Sequence, residues 1–377
     1  MSSRFLQLHF LTAYAANNLN RDDLGRPKSL LFGMAPRLRL SSQCVKRAWR
    51  ISPIMETAFA GDMGLRTREF WVELAKKLMA DGHDEATVAK HLTPLMAAIL
   101  KVKAESAGDE EEAGAEEADS APKKGKAKGS KSDVALTLQD LHSDLYFYSK
   151  AERLEFEKLA RESLAAGKPM EQKAVLAAIG DLPLSGDIAL FGRMVAQANS
   201  QTVEGAVQVA HPFTVNRVLE EDDYFIAADD LSSNGAGHIS ANGFGAGLYY
   251  GYVNIDVPLL VKNLDGSKEQ ALQLLRALVE AVATIAPGGK QNSFSARSYA
   301  TYLLAEVGNA QPRSFADAFL TPVQADPLAQ TAIEKLEKAK AGLEKAFPSQ
   351  TTKHARINRV TEEGSFADIE ALLNELF

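Results

Sequence analysis

The chain of 377 residues has a single cysteine, Cys44, so it cannot close an intrachain disulfide and offers no thiolate cluster for a metal. No apolar run reaches the ~18–20 residues needed to cross a bilayer. The start, MSSRFLQLHFLTAY, has too little apolar length and no small-residue cleavage site for a secretory signal. HExxH, HxxEH and paired His/Cys spacings are missing, and the seven histidines are scattered. These absences read as a soluble, cytoplasmic protein that needs no cofactor, no metal and no membrane.

Other partial signals also fall short of catalysis. Gly288-Gly289-Lys290-Gln291 lacks the GxxxxGK[ST] spacing and has Gln where Ser or Thr would hold magnesium. A Gly-Gly helix stop accounts for those glycines, although Lys290 and Gln291 can still reach a backbone phosphate. Asp22-Asp23 and Asp229-Asp230 read as turn formers. His211 and His238 sit near polar loops without a recognisable nucleophile or orienting carboxylate. The expectation is a protein that is not an enzyme.

What the chain does have is charge asymmetry. The net charge is −7, yet the first 50 residues hold nine Lys/Arg against two Asp, a local +7, which leaves −14 for the rest. A basic end on an acidic protein is expected to face an anion, with nucleic acid the first candidate. Within it, Arg37-Leu38-Arg39-Leu40 alternates like a strand with one buried and one positive face. Ser41-Ser42 then supplies a helix cap. Val45, Ala48 and Trp49 build an apolar helix face, and Gln43, Lys46, Arg47 and Arg50 fall opposite. Free N–H groups at a helix start favour phosphate, so hydroxyls, an amide and cations there would form a phosphate cradle. A solvated helix face with an ordinary serine cap is the plainer account, and the nearness of Arg37 and Arg39 weighs against it.

Along the chain, residues 62–101 read as helical, with Leu65, Phe70, Leu74, Leu78, Leu92 and Met96 buried. Residues 104–132 hold an acidic block and then five lysines among Gly, Ala and Ser, a composition of a disordered loop. Helical pattern resumes over 137–166 and 170–179. DIALFGRM (187–194) reads as a buried strand, and 195–216 as a hairpin or extended arm. A glycine-dense loop (Gly235 to Gly247) precedes a strand at 248–257, and 268–285 is an amphipathic helix. Strands at 292–297 and 299–307 follow, with helices at 327–346 and 366–376. Without the long insertion this approximates β-α-β-β-α-β, the split βαβ ferredoxin-like arrangement, although the aromatic pattern of RNA-recognition sheets is absent.

NLNRDD, RLRLSSQCVKRAWR, DIALFGRM, AADDLSSNGAGHISANGFGAGLYYGYVNID and IAPGGKQNSFSA occur in one order. In combination they resemble the CasC family, the backbone subunit of the type I-E CRISPR Cascade complex, an antiviral defence assembly. The resemblance runs from the first strand to about residue 307 and is weakest over 52–180 and at the C-terminus. It implies an α+β fold: a modified RRM/ferredoxin-like palm (1–51 and 181–325), a helical finger insertion (52–180) and a thumb-like β-hairpin (about 193–215). A helical segment (326–377) would close the chain. It implies that Arg21, Lys28, Ser41, Ser42, Gln43, Lys46, Arg47 and Arg50 hold guide phosphates, with Met194 wedged beside a displaced base. Lys123, Lys124, Lys126 and Lys128 stand in for the family's DNA-gripping lysines. The implied partners are CRISPR guide RNA, further copies of the chain in a helical filament, other Cascade subunits and target DNA. Two other readings stay open. One is an endoribonuclease of the same superfamily using Asp22, Asp23 or His211. The other is a DNA-binding regulator.

Overall fold

The computed structural model describes residues 4–100, 141, 144–195, 201–228, 236–347 and 353–377. The charged segment 104–132, the four candidate DNA-gripping lysines and Asp229-Asp230 lie outside the described residues. The chain divides into two compact units. One comprises residues to Met63, Leu184–Arg193 and Val203 onward; the other comprises Gly64–Pro183 and Met194–Thr202.

The larger unit is organised by strand β1 (Phe5–Asn17). Successive side chains of a strand point to opposite faces, and here both faces are covered. Leu6, Leu8 and Phe10 enter one core, while Leu11 enters another and His9 stacks on Phe315 of that second core. Strand β9 (Ala236–Asp256) pairs with one side of β1 and β10 (Tyr302–Gly308) with the other. Strands β6 (Val207–Val209) and β11 (Lys353–Asn358) complete the order β11-β10-β1-β9-β6, every pair antiparallel. Helices α1 (Ser42–Arg50) and α2 (Pro53–Phe59) lie between β1 and β6 in the chain, and β9 lies between those strands in space. Helices α8 (Val257–Asn263) and α9 (Lys268–Thr284) connect β9 to β10. This is the split βαβ arrangement, and the fold is α+β as expected.

Trp49, Met55, Phe59, Leu274 and Leu278 cover one sheet face together with Leu373 of α12 (Phe366–Asn374). Fully burying each such side chain is worth roughly 1.5–3 kcal/mol. Tyr250, Tyr302, Phe315, Phe319 and Leu336 of α11 (Leu328–Ala346) cover the other face. Gly251 lies directly across from Phe10, and a Cβ there would sit 2.1 Å from the Phe10 ring. The glycine makes room for the aromatic ring.

The smaller unit packs helices α3 (Phe70–Ala80), α4 (Glu85–Ile99), α5 (Lys150–Ala165) and α6 (Gln172–Ile179) around Trp71, Leu78, Leu92, Leu95 and Phe156. A two-stranded ribbon of β4 (Leu65–Thr67) and β5 (Tyr146–Tyr148) accompanies them. A reciprocal Ser149–Glu152 capping box starts α5. Leu65, expected in the core, is exposed on its short strand.

Several sequence expectations need correction. DIALFGRM contains helix α7 (Gly186–Phe191) rather than a strand. A short apolar run fits a buried helix or a buried strand equally well. Here Ser185 precedes one helical turn and Gly192, at φ +78°, ends it. Of the hairpin expected at about 193–215, Arg193 and Val203 pair antiparallel through reciprocal backbone hydrogen bonds and residues 196–200 lie outside the described residues, whereas β6 and β7 (Phe213–Thr214) each pair with β9 rather than with each other. The long hairpin joins β8 (Glu221–Ala228) to β9. The supposed glycine loop is therefore part of β9, where Gly243, Gly245 and Gly247 leave space for Glu220, Leu38 and Thr214. The strand expected at 292–297 is replaced by the one-turn helix α10 (Gln291–Phe294). Residues 326–377 are not wholly helical, because β11 extends the sheet and α12 packs beneath it.

Candidate nucleic-acid interface

Helix α1 forms where the sequence places it. The Ser41 hydroxyl accepts a hydrogen bond from the Cys44 N–H at 3.3 Å, and Val45 and Trp49 anchor the buried face. Gln43 and Arg47 are exposed on the opposite side, with Ser42 and Lys46 half-buried. The backbone N–H groups of Ser42 and Gln43 have no protein partner among the described residues, as expected for a first helical turn. Lys46 lies with its Nζ 6.0 Å from the Phe191 ring centre, and burial holds its pKa below the usual lysine range.

The asparagine-rich loop after β1 is tied to this helix start. Asn17 and Asn18 donate to the carbonyls of Gly245 and Gly243, fixing the loop on β9. Asn20 Oδ1 accepts from the Ser41 N–H at 2.7 Å. The Asn20 carbonyl accepts from the Lys28 N–H, and the Lys28 carbonyl accepts from the Arg39 N–H, each at 2.8 Å. Lys28 follows Pro27, which bridges to Arg21, and leads into β2 (Ser29–Phe32), paired with β3 (Ala35–Leu38). Arg21 and Lys28 both act electrostatically on Cys44, whose thiol is nonetheless pushed up by burial. These contacts bring Arg21 and Lys28 to the start of α1.

Arg39 donates to the Ser29 carbonyl through Nε at 3.1 Å and approaches His211 Nδ1 through Nη1, also at 3.1 Å. Because a guanidinium only donates, His211 Nδ1 is the acceptor and Nε2 carries the proton. Partial burial, then Arg39 and Lys28, hold the His211 pKa below the ordinary histidine value.

The electrostatic signature of this surface is the lack of compensation. Arg21, Lys28, Arg39, Lys46 and Arg47 form no ion pair with a carboxylate among the described residues, whereas Arg26 binds Glu220 and Asp222. Two arginines expected among them are committed elsewhere. Arg37 is fully buried and donates to the carbonyls of Thr214, Val215 and Phe319, so it is a strut of the sheet unit rather than a positive surface. Arg50 pairs with the buried Asp187 at 3.0 Å.

Gly289 packs so closely on Leu19 that a Cβ would lie 2.2 Å from the Leu19 carbonyl oxygen. That contact brings Lys290 beside the same loop, with its Nζ 3.1 Å from Asn242 Oδ1. Gln291 is turned inward, its amide donating to the carbonyls of Pro287 and Ala296, and it supports the loop. Met194 belongs to the smaller unit and is 88% exposed. Sequence reasoning missed the joining role of Asn20 and the Arg39–His211 pair. The first had a signal in NLNRDD, and the second has none because 172 residues separate the partners. No group of three His, Cys, Asp or Glu side chains among the described residues could hold a metal ion. No helix of the described residues is long and apolar enough to cross a membrane.

A family model described as CT1975-like protein matches residues 6–376. No curated protein matches the chain. A solved chain described as "CRISPR RNA-guided surveillance complex, pre-nicking" is 27% identical with a TM-score of 0.77, over 99% of this chain and 100% of that one. Another, described as "CRISPR RNA-guided surveillance complex", is 22% identical with a TM-score of 0.58, over 99% and 100%. At that lower identity the likeness is one of fold.

Proposed function

The chain belongs to the CT1975-like family, and from that membership and the site geometry we propose that it is a backbone subunit of a Cascade-type surveillance complex. It holds CRISPR guide RNA without cutting it, polymerises along it with other copies of itself, and leaves target reading to guide–DNA base pairing. The observation that carries this reading is the group of Arg21, Lys28, Lys46 and Arg47 around an open helix start, none of them paired with a carboxylate among the described residues. Cations left without acidic partners and free backbone N–H groups suit a chain of phosphates. Arg50 and Gln291 serve as supports of that surface rather than as phosphate contacts. Met194, exposed in the smaller unit, suits a wedge against a base. Exposed Tyr224, Ile226 and Ile239, on one face of the β8–β9 ribbon, form the surface for the neighbouring copy in this reading.

The test is nuclease protection of a candidate guide RNA by the purified protein with its partner subunits. Protection at regular intervals, lost on changing Lys46 and Arg47 to Ala, is the expected result. Unprotected RNA and a monomeric protein would overturn the reading. Defined cleavage products would point to an endoribonuclease instead.

A further inference from the structure

Beyond the start of α1, the same surface holds a pair of side chains, Arg39 and His211, that the cradle does not use. Arg39 and His211 lie in hydrogen-bond contact, and Lys28 acts on both His211 and Cys44. Lys28 therefore lies within electrostatic reach of both the helix start and the histidine. The backbone chain Ser41–Asn20–Lys28–Arg39 fixes this spacing through hydrogen bonds of 2.7 and 2.8 Å. His211 is exposed, and its Nε2–H is the ring donor left over once Nδ1 accepts from Arg39. The charged groups acting on it are Arg39 and Lys28, and no carboxylate among the described residues pairs with either cation.

We propose that Arg39 and His211 form a second phosphate position, across Lys28 from the helix cradle, and that His211 takes up a proton from solvent when an RNA phosphate binds there. This rests on the guide-RNA reading above. The physical argument is electrostatic. Partial burial, and after it the two cations beside the ring, disfavour the imidazolium in the free protein. A phosphate oxygen entering between Arg39 and His211 takes the place of their mutual hydrogen bond, accepts from the guanidinium and from the imidazolium, and cancels the repulsion, so the charged form becomes the favoured one. The cations position the backbone without reading sequence, so the site takes any RNA phosphate.

By linkage, a site that gains a proton on binding tightens as pH falls, by at most about tenfold per pH unit for one proton. Wild-type affinity for a single-stranded RNA oligonucleotide is expected to rise about fivefold from pH 8 to pH 6. His211→Gln flattens that dependence. Arg39→Gln lowers the salt slope of log K by about 0.7, as for one lost phosphate contact to a single strand. In the free Arg39→Gln protein, the His211 NMR titration midpoint moves upward, which a merely structural arginine would not cause. Thermal unfolding of each variant verifies that it is folded. Wild-type binding that is indifferent to pH, or pH dependence that survives His211→Gln, overturns the second position and leaves the guide-RNA reading standing. Absence of RNA binding by the folded wild type at every pH overturns both.

Discussion

Arg50 places its guanidinium 3.0 Å from the carboxylate of Asp187, a side chain with no solvent exposure. The pair joins the last turn of α1 to α7, so a residue that reads in sequence as part of a basic stripe braces the helix carrying that stripe.

Removing one partner of a buried ion pair strands the other charge, at a cost of about 3–5 kcal/mol. Arg50→Ala is therefore expected to lower urea-unfolding stability by about 3 kcal/mol. Arg47→Ala, on the exposed face, should change it by less than about 0.5 kcal/mol. Equal midpoints for Arg50→Ala and wild type would remove the strut from the account.

Gly289→Ala should loosen the link between the 286–291 loop and the asparagine loop. Its Cβ meets a backbone carbonyl, which cannot rotate away as a side chain would. A stability loss of about 1–3 kcal/mol is expected, together with weaker RNA binding because Lys290 shifts. Gly288→Ala has open space at its Cβ and serves as the comparison. If both substitutions behave alike in unfolding and binding, close approach at Gly289 is not what matters.

A buried network around His9 predicts acid sensitivity. His9 Nδ1 and the Tyr250 hydroxyl are 3.0 Å apart, and Nε2 lies 3.4 Å from Glu306, which Arg313 also holds at 3.0 Å. Burial keeps the His9 pKa below 6.5 despite Glu306. Burial works against the Glu306 charge, but His9, Arg313 and Lys340 together hold its pKa below 4.5. The unfolded chain therefore takes up the histidine proton first, and stability begins to fall below pH ~6.5. The Glu306 contribution is present above about pH 4.5 and is lost as pH falls through its lower folded value. Stability curves by urea between pH 8 and pH 5 should slope for wild type and be flatter for His9→Gln. Parallel curves would contradict a neutral buried His9.

The β8–β9 ribbon carries Ile226 directly across from Ile239, with Tyr224 two residues along on the same face, all more than half exposed. Ile226→Asp is expected to leave single-copy binding to a short RNA intact while abolishing higher-order species on a long one, measured by analytical ultracentrifugation. Unaltered assembly on long RNA would exclude this face as the contact between copies.

The helix α1 with its basic face was legible in the sequence because its determinants are local. A serine cap, two apolar residues four apart and a basic face lie within ten positions, and helix geometry converts that spacing directly into sides. The βαββαβ order was legible only in part: β1, α9 and β10 carry strong local patterns, but the second strand was expected at 187–194, where the chain forms α7, and is instead the short β6. DIALFGRM misled because four apolar residues in succession have no period, and only its neighbours decide between strand and helix. The glycine segment misled because its glycines provide close approach in β9 rather than turns.

The sequence alone determined which residues carry positive charge, that they gather at one end, and that α1 must show them on one side. Tertiary structure decided which of those charges remain available. Arg37 and Arg50 have the same side-chain chemistry as Arg39 and Arg47, yet carbonyls from residues 214, 215 and 319 claim the first and Asp187 claims the second. Such partners are distant in the chain, and a charge is neutralised by what lies within a few ångströms of it, not by what lies beside it in sequence.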